Sequence, residues 1–173
     1  MTKSSPMPKI FHKILLTLSL LAATLAQAQL SIEITGAGAN RIPVAIANFA
    51  GDAAAAQVVA STVRSDLERS GLFKLVDPAG ATLDENAPVN FGDWKNRGAD
   101  ALAAGSLARG ADGRMEARFR LYDTQKQVSL GGAVYVTGND QLRAAGHRIA
   151  DYIYEKLTGE KGVFSTRVAY VVK

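Results

Sequence analysis

Between Met115 and Val136 the sequence does something that few architectures can accommodate. Met115, Ala117, Phe119 and Leu121 alternate with Glu116, Arg118, Arg120 and Tyr122. After a turn from Asp123 to Gln127, Val128, Leu130, Gly132, Val134 and Val136 continue the alternation. A period of two sets one apolar row on one side of a strand, and two such runs on a short connection read as an antiparallel hairpin. A lone hairpin is marginal in water, so its apolar side has to be covered by another layer.

Two amphipathic stretches supply such a layer. The first is predicted to start at Asp52, whose side chain can cap free backbone N–H groups, and to run to about Ser70. Val59, Val63 and Leu67 form its buried stripe, with Arg64, Asp66, Glu68 and Arg69 expected in solvent. Gly71 is suited to end it in a left-handed cap. The second starts at Asn139 or Asp140, carries Leu142, Ala145, Ile149, Ile153 and Leu157 as its stripe, and stops at Gly159. Ile42 to Phe49 reads as a strand apolar on both sides, with Ile42, Val44 and Ile46 on one and Ala45, Ala47 and Phe49 on the other. Such strands are central and covered twice. Leu72 to Val76 is a short strand, Asp77 to Pro88 a loop, and Asn90 to Gly98 a short helix begun near Asp93 that carries Trp94. Ala101 to Leu107 is small and apolar on both faces, and Gly110 to Gly113 is a turn. The order strand–helix–strand–helix–strand–strand–strand–helix predicts a layered α/β fold with a mixed sheet of about five strands flanked by helices.

The N-terminal region reads differently. Lys3, Lys9 and Lys13 precede an apolar run from Ile14 to Ala26, which ends in the small-x-small pattern Ala26-Gln27-Ala28. Basic start, short apolar run and A-x-A site are the signature of a cleaved secretory signal over residues 1–28. The run is shorter than the roughly 20 apolar residues of a membrane-spanning helix. That leader holds three Lys and no carboxylate, so the chain after Ala28 has 17 basic and 16 acidic residues, a net charge of +1 against +4 for the whole. A chain so nearly neutral lacks the clustered Lys and Arg that neutralise phosphates, and nucleic acid is not an expected partner. With no Cys there is no disulfide, no zinc–thiolate site and no thiol nucleophile. From Gln29 the chain reads Leu30, Ile32 and Ile34 alternating with Ser31, Glu33 and Thr35, then the glycine-bearing hinge Gly36-Ala37-Gly38-Ala39-Asn40. A strand on such a tether can pair with its own sheet or add to a partner's sheet edge, where backbone hydrogen bonds give affinity and alternate side chains selectivity.

Residues able to carry chemistry are few. His147 is the one histidine after the leader and stands four residues before Asp151, so the two can meet on one helix face. A surface His–Asp pair alone lacks the nucleophile and pocket of a hydrolase. No pair of carboxylates stands out for acid–base work, and one His without Cys does not make a metal site. Gly36 to Arg41 resembles the start of a dinucleotide loop but precedes a strand instead of following one, so it lacks the strand–loop–helix context. Neither cofactor nor small-molecule substrate is expected. Arg118 and Arg120 share a strand face with Glu116, a solvated face or else a contact surface for a partner. Trp94 suits a core or interface anchor.

One run is specific enough to point to a family. Glu155-Lys156-Leu157-Thr158-Gly159-Glu160-Lys161-Gly162-Val163-Phe164-Ser165-Thr166-Arg167-Val168-Ala169-Tyr170-Val171, preceded by Ala145-Gly146-His147 and Asp151, resembles the end of the N-terminal domain of the TolB family and the entry to its propeller. Arg41 to Ile46 and Ala60 to Phe73 are similar too. The resemblance implies four parts: a signal peptide at 1–28, a flexible partner-binding strand and hinge at 29–40, an α/β domain at 41–163, and at 164–173 the start of a β-propeller that the chain lacks. It implies a non-enzymatic periplasmic adaptor of the Tol-Pal envelope system, serving outer-membrane invagination in division and envelope integrity. Gln29, Leu30, Ser31, Ile32, Glu33, Ile34, Thr35 and Gly36 would engage the C-terminal domain of TolA. The lipoprotein Pal, and colicins that mimic it, would bind the missing propeller. The competing reading is a stand-alone periplasmic regulatory domain of similar fold, acting on a cell-wall enzyme or secretion pore.

Overall fold

A computed structural model of the chain describes residues 41–166. In chain order these form β1 (Ile42–Ile46), β2 (Ala50–Gly51), α1 (Ala53–Arg69), β3 (Phe73–Val76), α2 (Phe91–Asn96), β4 (Ala101–Arg109), β5 (Met115–Asp123), β6 (Val128–Thr137), a single 3₁₀ turn (Asn139–Gln141) and α3 (Leu142–Thr158). The strands build one mixed sheet in the order β3-β1-β4-β5-β6, with β2 also paired to β4. β1 runs parallel to both β3 and β4, and β4, β5 and β6 are antiparallel. The mixed α/β sheet with helices against it is the architecture the alternation predicts.

The helices begin and end where their terminal chemistry dictates. Asp52 accepts a hydrogen bond from the Ala55 N–H (3.0 Å) at the start of α1. Gly71 (φ 76°) and Gly159 (φ 79°) adopt the left-handed conformation just past α1 and α3. Both helices lie on one face of the sheet. There Val59, Val63 and Leu67 of α1 and Ile149 and Ile153 of α3 meet Val44, Ile46, Leu107, Phe119 and Leu121 in the main core. Helix and helix approach so closely at Gly146 that a Cβ there would stand 2.7 Å from Cβ of Thr62.

The opposite face is covered over its parallel half only. Trp94, 5% exposed, packs with Ala45, Ala47, Ala99, Leu102, Ala104 and Tyr122, roofed by Leu83, Val89 and Phe91. So β1 and β4 are buried on both sides, as their double-sided apolar runs predict, and Trp94 is a core anchor. The short helix starts at Phe91, two residues before Asp93. Tyr122, grouped by alternation with solvent-facing residues, is buried here and donates to the Glu85 carbonyl (3.1 Å).

Two strand assignments need correction. Ile42 to Phe49 is not one strand. β1 ends at Ile46, and Asn48 instead bonds a loop: its N–H donates to the Ala81 carbonyl (2.9 Å) and its carbonyl accepts from Leu83 (3.0 Å). The break resets the alternation, so Phe49 joins Val44 and Ile46 in the helix-side core and leaves Ala45 and Ala47 behind. In β6, Leu121 pairs with Gly131 but Tyr122 pairs with Ser129, leaving Leu130 as an inserted residue. This bulge moves the later residues to the other face. Ala133 and Tyr135 turn to the core, while Val134 (54% exposed) and Val136 (43%) face solvent.

Gly51 closes the β1–β2 irregularity with φ 92°, and a Cβ there would run into the Leu107 carbonyl. Gly51→Ala is expected to destabilise the fold by about 2–3 kcal/mol, combining a strained dihedral with a backbone clash. Chemical denaturation of the two proteins checks this, since an unchanged midpoint would mean that β2 yields without cost.

Candidate functional site

The segment Gln29 to Gly36, and the hinge behind it, lie outside the described residues. The polar groups singled out within them can be placed. His147 and Asp151 do not pair. His147 Nδ1 lies 2.5 Å from Oδ2 of Asp66, on the other helix. Asp151 turns to the chain beyond α3, accepting the backbone N–H of Phe164 at Oδ1 (2.7 Å) and of Ser165 at Oδ2 (3.0 Å). Each bonds a partner farther along the chain instead of its neighbour one helical turn away, so the two do different work.

Asp66 is the residue that helical reading placed wrongly. Its side chain is 3% exposed, and Oδ1 also receives the Arg69 guanidinium (2.7 Å). A buried carboxylate costs several kcal/mol unless its oxygens are bonded, and here both are. The signal was present: 59, 62, 63, 66 and 67 are spaced as the buried face of a helix, and Thr62 and Asp66 are both buried. What the sequence could not indicate is the partner, which lies 81 residues along the chain. Arg64, also expected in solvent, folds back to the sheet. It donates through Nε (3.2 Å) and a terminal nitrogen (2.8 Å) to the Ile46 carbonyl, and to Asn48 Oδ1 (2.9 Å). Ile46 is one residue past the last β1–β3 pair, so the guanidinium bonds a carbonyl beyond the end of that ladder. Burial lowers the Arg64 pKa, with Asp77 opposing the shift.

Asp151 holds a third junction. Its carboxylate binds two consecutive N–H groups, while Phe164 packs edge-on against Tyr154 (ring centroids 5.7 Å) and Tyr154 against Phe73 (5.9 Å). Gly162 passes so near that a Cβ would lie 2.5 Å from the Asp151 Cα. The segment leaving α3 is thereby fixed to the helix.

The sheet does bring Glu116, Arg118 and Arg120 together on the uncovered face of β5, with Arg118 paired to Glu116. Beside them a groove of about 440 Å³ opens, lined by Arg118, Arg120, Ser129, Gly132, Val134 and Asn86. Among the described residues, no cluster of three or more His, Asp or Glu is placed to hold a metal ion. Nor is any helix among them long and apolar enough to cross a membrane.

Three expectations follow. Asp66→Ala is expected to cost about 2 kcal/mol, because it leaves His147 without its partner beside an emptied site. His147→Ala should cost less, because Arg69 still holds Oδ1 of the carboxylate while only Oδ2 loses its partner; denaturant midpoints order the two. Asp151→Ala should free the Phe164 and Ser165 amides, read as faster hydrogen exchange at these positions with α3 still protected.

Comparison with known proteins assigns the chain to a family. The model of the TolB amino-terminal domain matches residues 30–130. The Tol-Pal system protein TolB of Dechloromonas aromatica is 76% identical over 167 residues, covering 96% of this chain and 39% of that protein. That of Aromatoleum aromaticum is 56% identical over 160 residues, 89% of this chain and 38% of that protein. A crystal structure of TolB from Acinetobacter baumannii superposes with a TM-score of 0.63 at 31% identity, over 72% of this chain and 30% of that one. The chain thus spans about two fifths of the length of the curated relatives it matches. It belongs to the TolB amino-terminal domain family of the Tol-Pal system.

Proposed function

We propose that this chain is the partner-binding domain of a non-enzymatic periplasmic adaptor, and that Gln29 to Gly36 engage the C-terminal domain of TolA by strand addition. Membership in the TolB family carries this reading, with the match beginning at residue 30, inside the segment. The alternation of Leu30, Ile32 and Ile34 with Ser31, Glu33 and Thr35 supports the binding mode. The backbone of an added strand supplies the hydrogen bonds, and its apolar row fills sites on the partner. Gly36 and Gly38 let the segment leave its own domain.

On this reading residues 1–28 are removed on export and residues 41–163 form the folded adaptor. Residues 164–173 lead into a propeller that binds Pal, and colicins where they mimic Pal. The protein then supports outer-membrane invagination during division and envelope integrity without catalysing a reaction. A ligand on the propeller can influence the N-terminal segment only by binding more tightly to one of its two states, docked or released.

Titration calorimetry of residues 29–173 against the TolA C-terminal domain tests the assignment, beside a matched chain lacking Gln29 to Thr35. Heat from the first and none from the second is expected. Equal binding would move the site onto the folded domain, and silence from both would remove TolA as the partner of this region.

A further inference from the structure

Among the described residues β6 is an outer edge of the sheet, and it is unusually undefended. Natural edge strands are kept from pairing by charge, proline, shortness or a covering element. β6 runs ten residues, Val128 to Thr137, without one charged residue or proline. Its bulge at Leu130 interrupts the first third only. From Gly132 to Thr137 each residue pairs one to one with β5, and the far side has no partner strand among the described residues. An uncharged length of edge backbone is a template for one more strand.

The side chains beside this edge define what such a strand should carry. On the outer face, Arg118 stands across from Val134 and Arg120 across from Gly132. Arg118 is paired with Glu116, whereas none of the ion pairs among the described residues uses Arg120. A Cβ at Gly132 would press on the Phe119 carbonyl and the Arg120 Cα, so this position carries no side chain beside Arg120, and the groove of about 440 Å³ opens there. The other acid at the groove, Glu85, is engaged by Ser106 Oγ (2.6 Å) and Asn86 Nδ2 (3.3 Å). On the inner face the edge presents Tyr135, stacked on Phe119 (6.2 Å) and half-covered, with the Arg148 guanidinium 6.0 Å from its ring centroid.

We propose that β6 receives, along Gly132 to Thr137, an extended segment of a partner protein. The outward row of that segment carries a carboxylate for Arg120, and its inward row is apolar against Tyr135. Charge selects this occupant over a second copy of the chain, since another β6 has no carboxylate to bring to Arg120. This surface is separate from Gln29 to Gly36 and does not rest on the TolA reading.

The test uses the ¹⁵N-labelled chain and a capped hexapeptide alternating threonine and valine, with glutamate at the third position. A control peptide carries lysine there. The glutamate peptide is expected to shift the amides of Gly132 to Thr137 and the Arg120 side-chain signal, binding roughly tenfold more tightly than the lysine peptide. Arg120→Glu should reverse that preference, and the milder Arg120→Gln should abolish it with the rest of the spectrum unchanged. Equal binding of both peptides, shifts confined to other elements, or no shifts with the glutamate peptide would each overturn the proposal. So would self-association that protects the same amides, which seats a second copy there. Protection already present without peptide and lost on Glu33→Lys would place the chain's own N-terminal segment on the edge, and overturns it too.

Discussion

Everything on the helical side of this domain depends on how closely α1 and α3 lie together. One side of the sheet is apolar across β1, β4 and β5, and two helices must cover it without leaving a gap between them. Gly146 provides the approach, since any side chain there would strike Thr62. In such a seam an unpaired charge would be ruinous, yet Asp66 is in it. Its carboxylate is tolerated because His147 from the facing helix and Arg69 from its own both bond it. The contact is specific as well as cohesive: hydrophobic stripes can slide, but an aspartate and a histidine that must meet fix the axial position of one helix against the other.

Much of this was legible in the chain. Asp52, Gly71 and Gly159 mark helix ends through local backbone chemistry, which needs no knowledge of the rest of the fold. β4 declares its double burial because every side chain from Ala101 to Gly105 is small or apolar. The failures share a cause, which is distance along the chain. Asn48 leaves the ladder because Ala81 and Leu83 offer it bonds, and no pattern around residue 48 shows this. The phase of β6 turns on one inserted residue, invisible to an alternation count that continues smoothly through Leu130. His147 and Asp151 were set side by side by helical spacing. Packing instead gave each a partner at least 13 residues away.

The candidate surfaces differ in how far a sequence can expose them. A terminal segment that alternates and is followed by glycines can be read without a fold. The face of Glu116, Arg118 and Arg120 is also readable, since period two alone aligns them. The edge beyond it is not: it exists because β6 is the last strand of the sheet among the described residues, which is a property of topology. Val134 and Val136 read as core until the bulge is seen. The likeness to relatives covers nearly all of this chain, but only about two fifths of their own length.

The Asp151 clip has a mechanical corollary. A chain leaving a helix through a slack linker would dissipate any tension before it reached the fold. Here tension applied beyond Thr166 is met first by two carboxylate bonds to consecutive amides, and then by the aromatic contacts of Phe164 with Tyr154. It passes into α3 near its middle, one turn from His147, whose bond to Asp66 joins that helix to α1. The outlet of the domain is therefore a stiff handle, and a tug on it is borne by the helical layer as a whole.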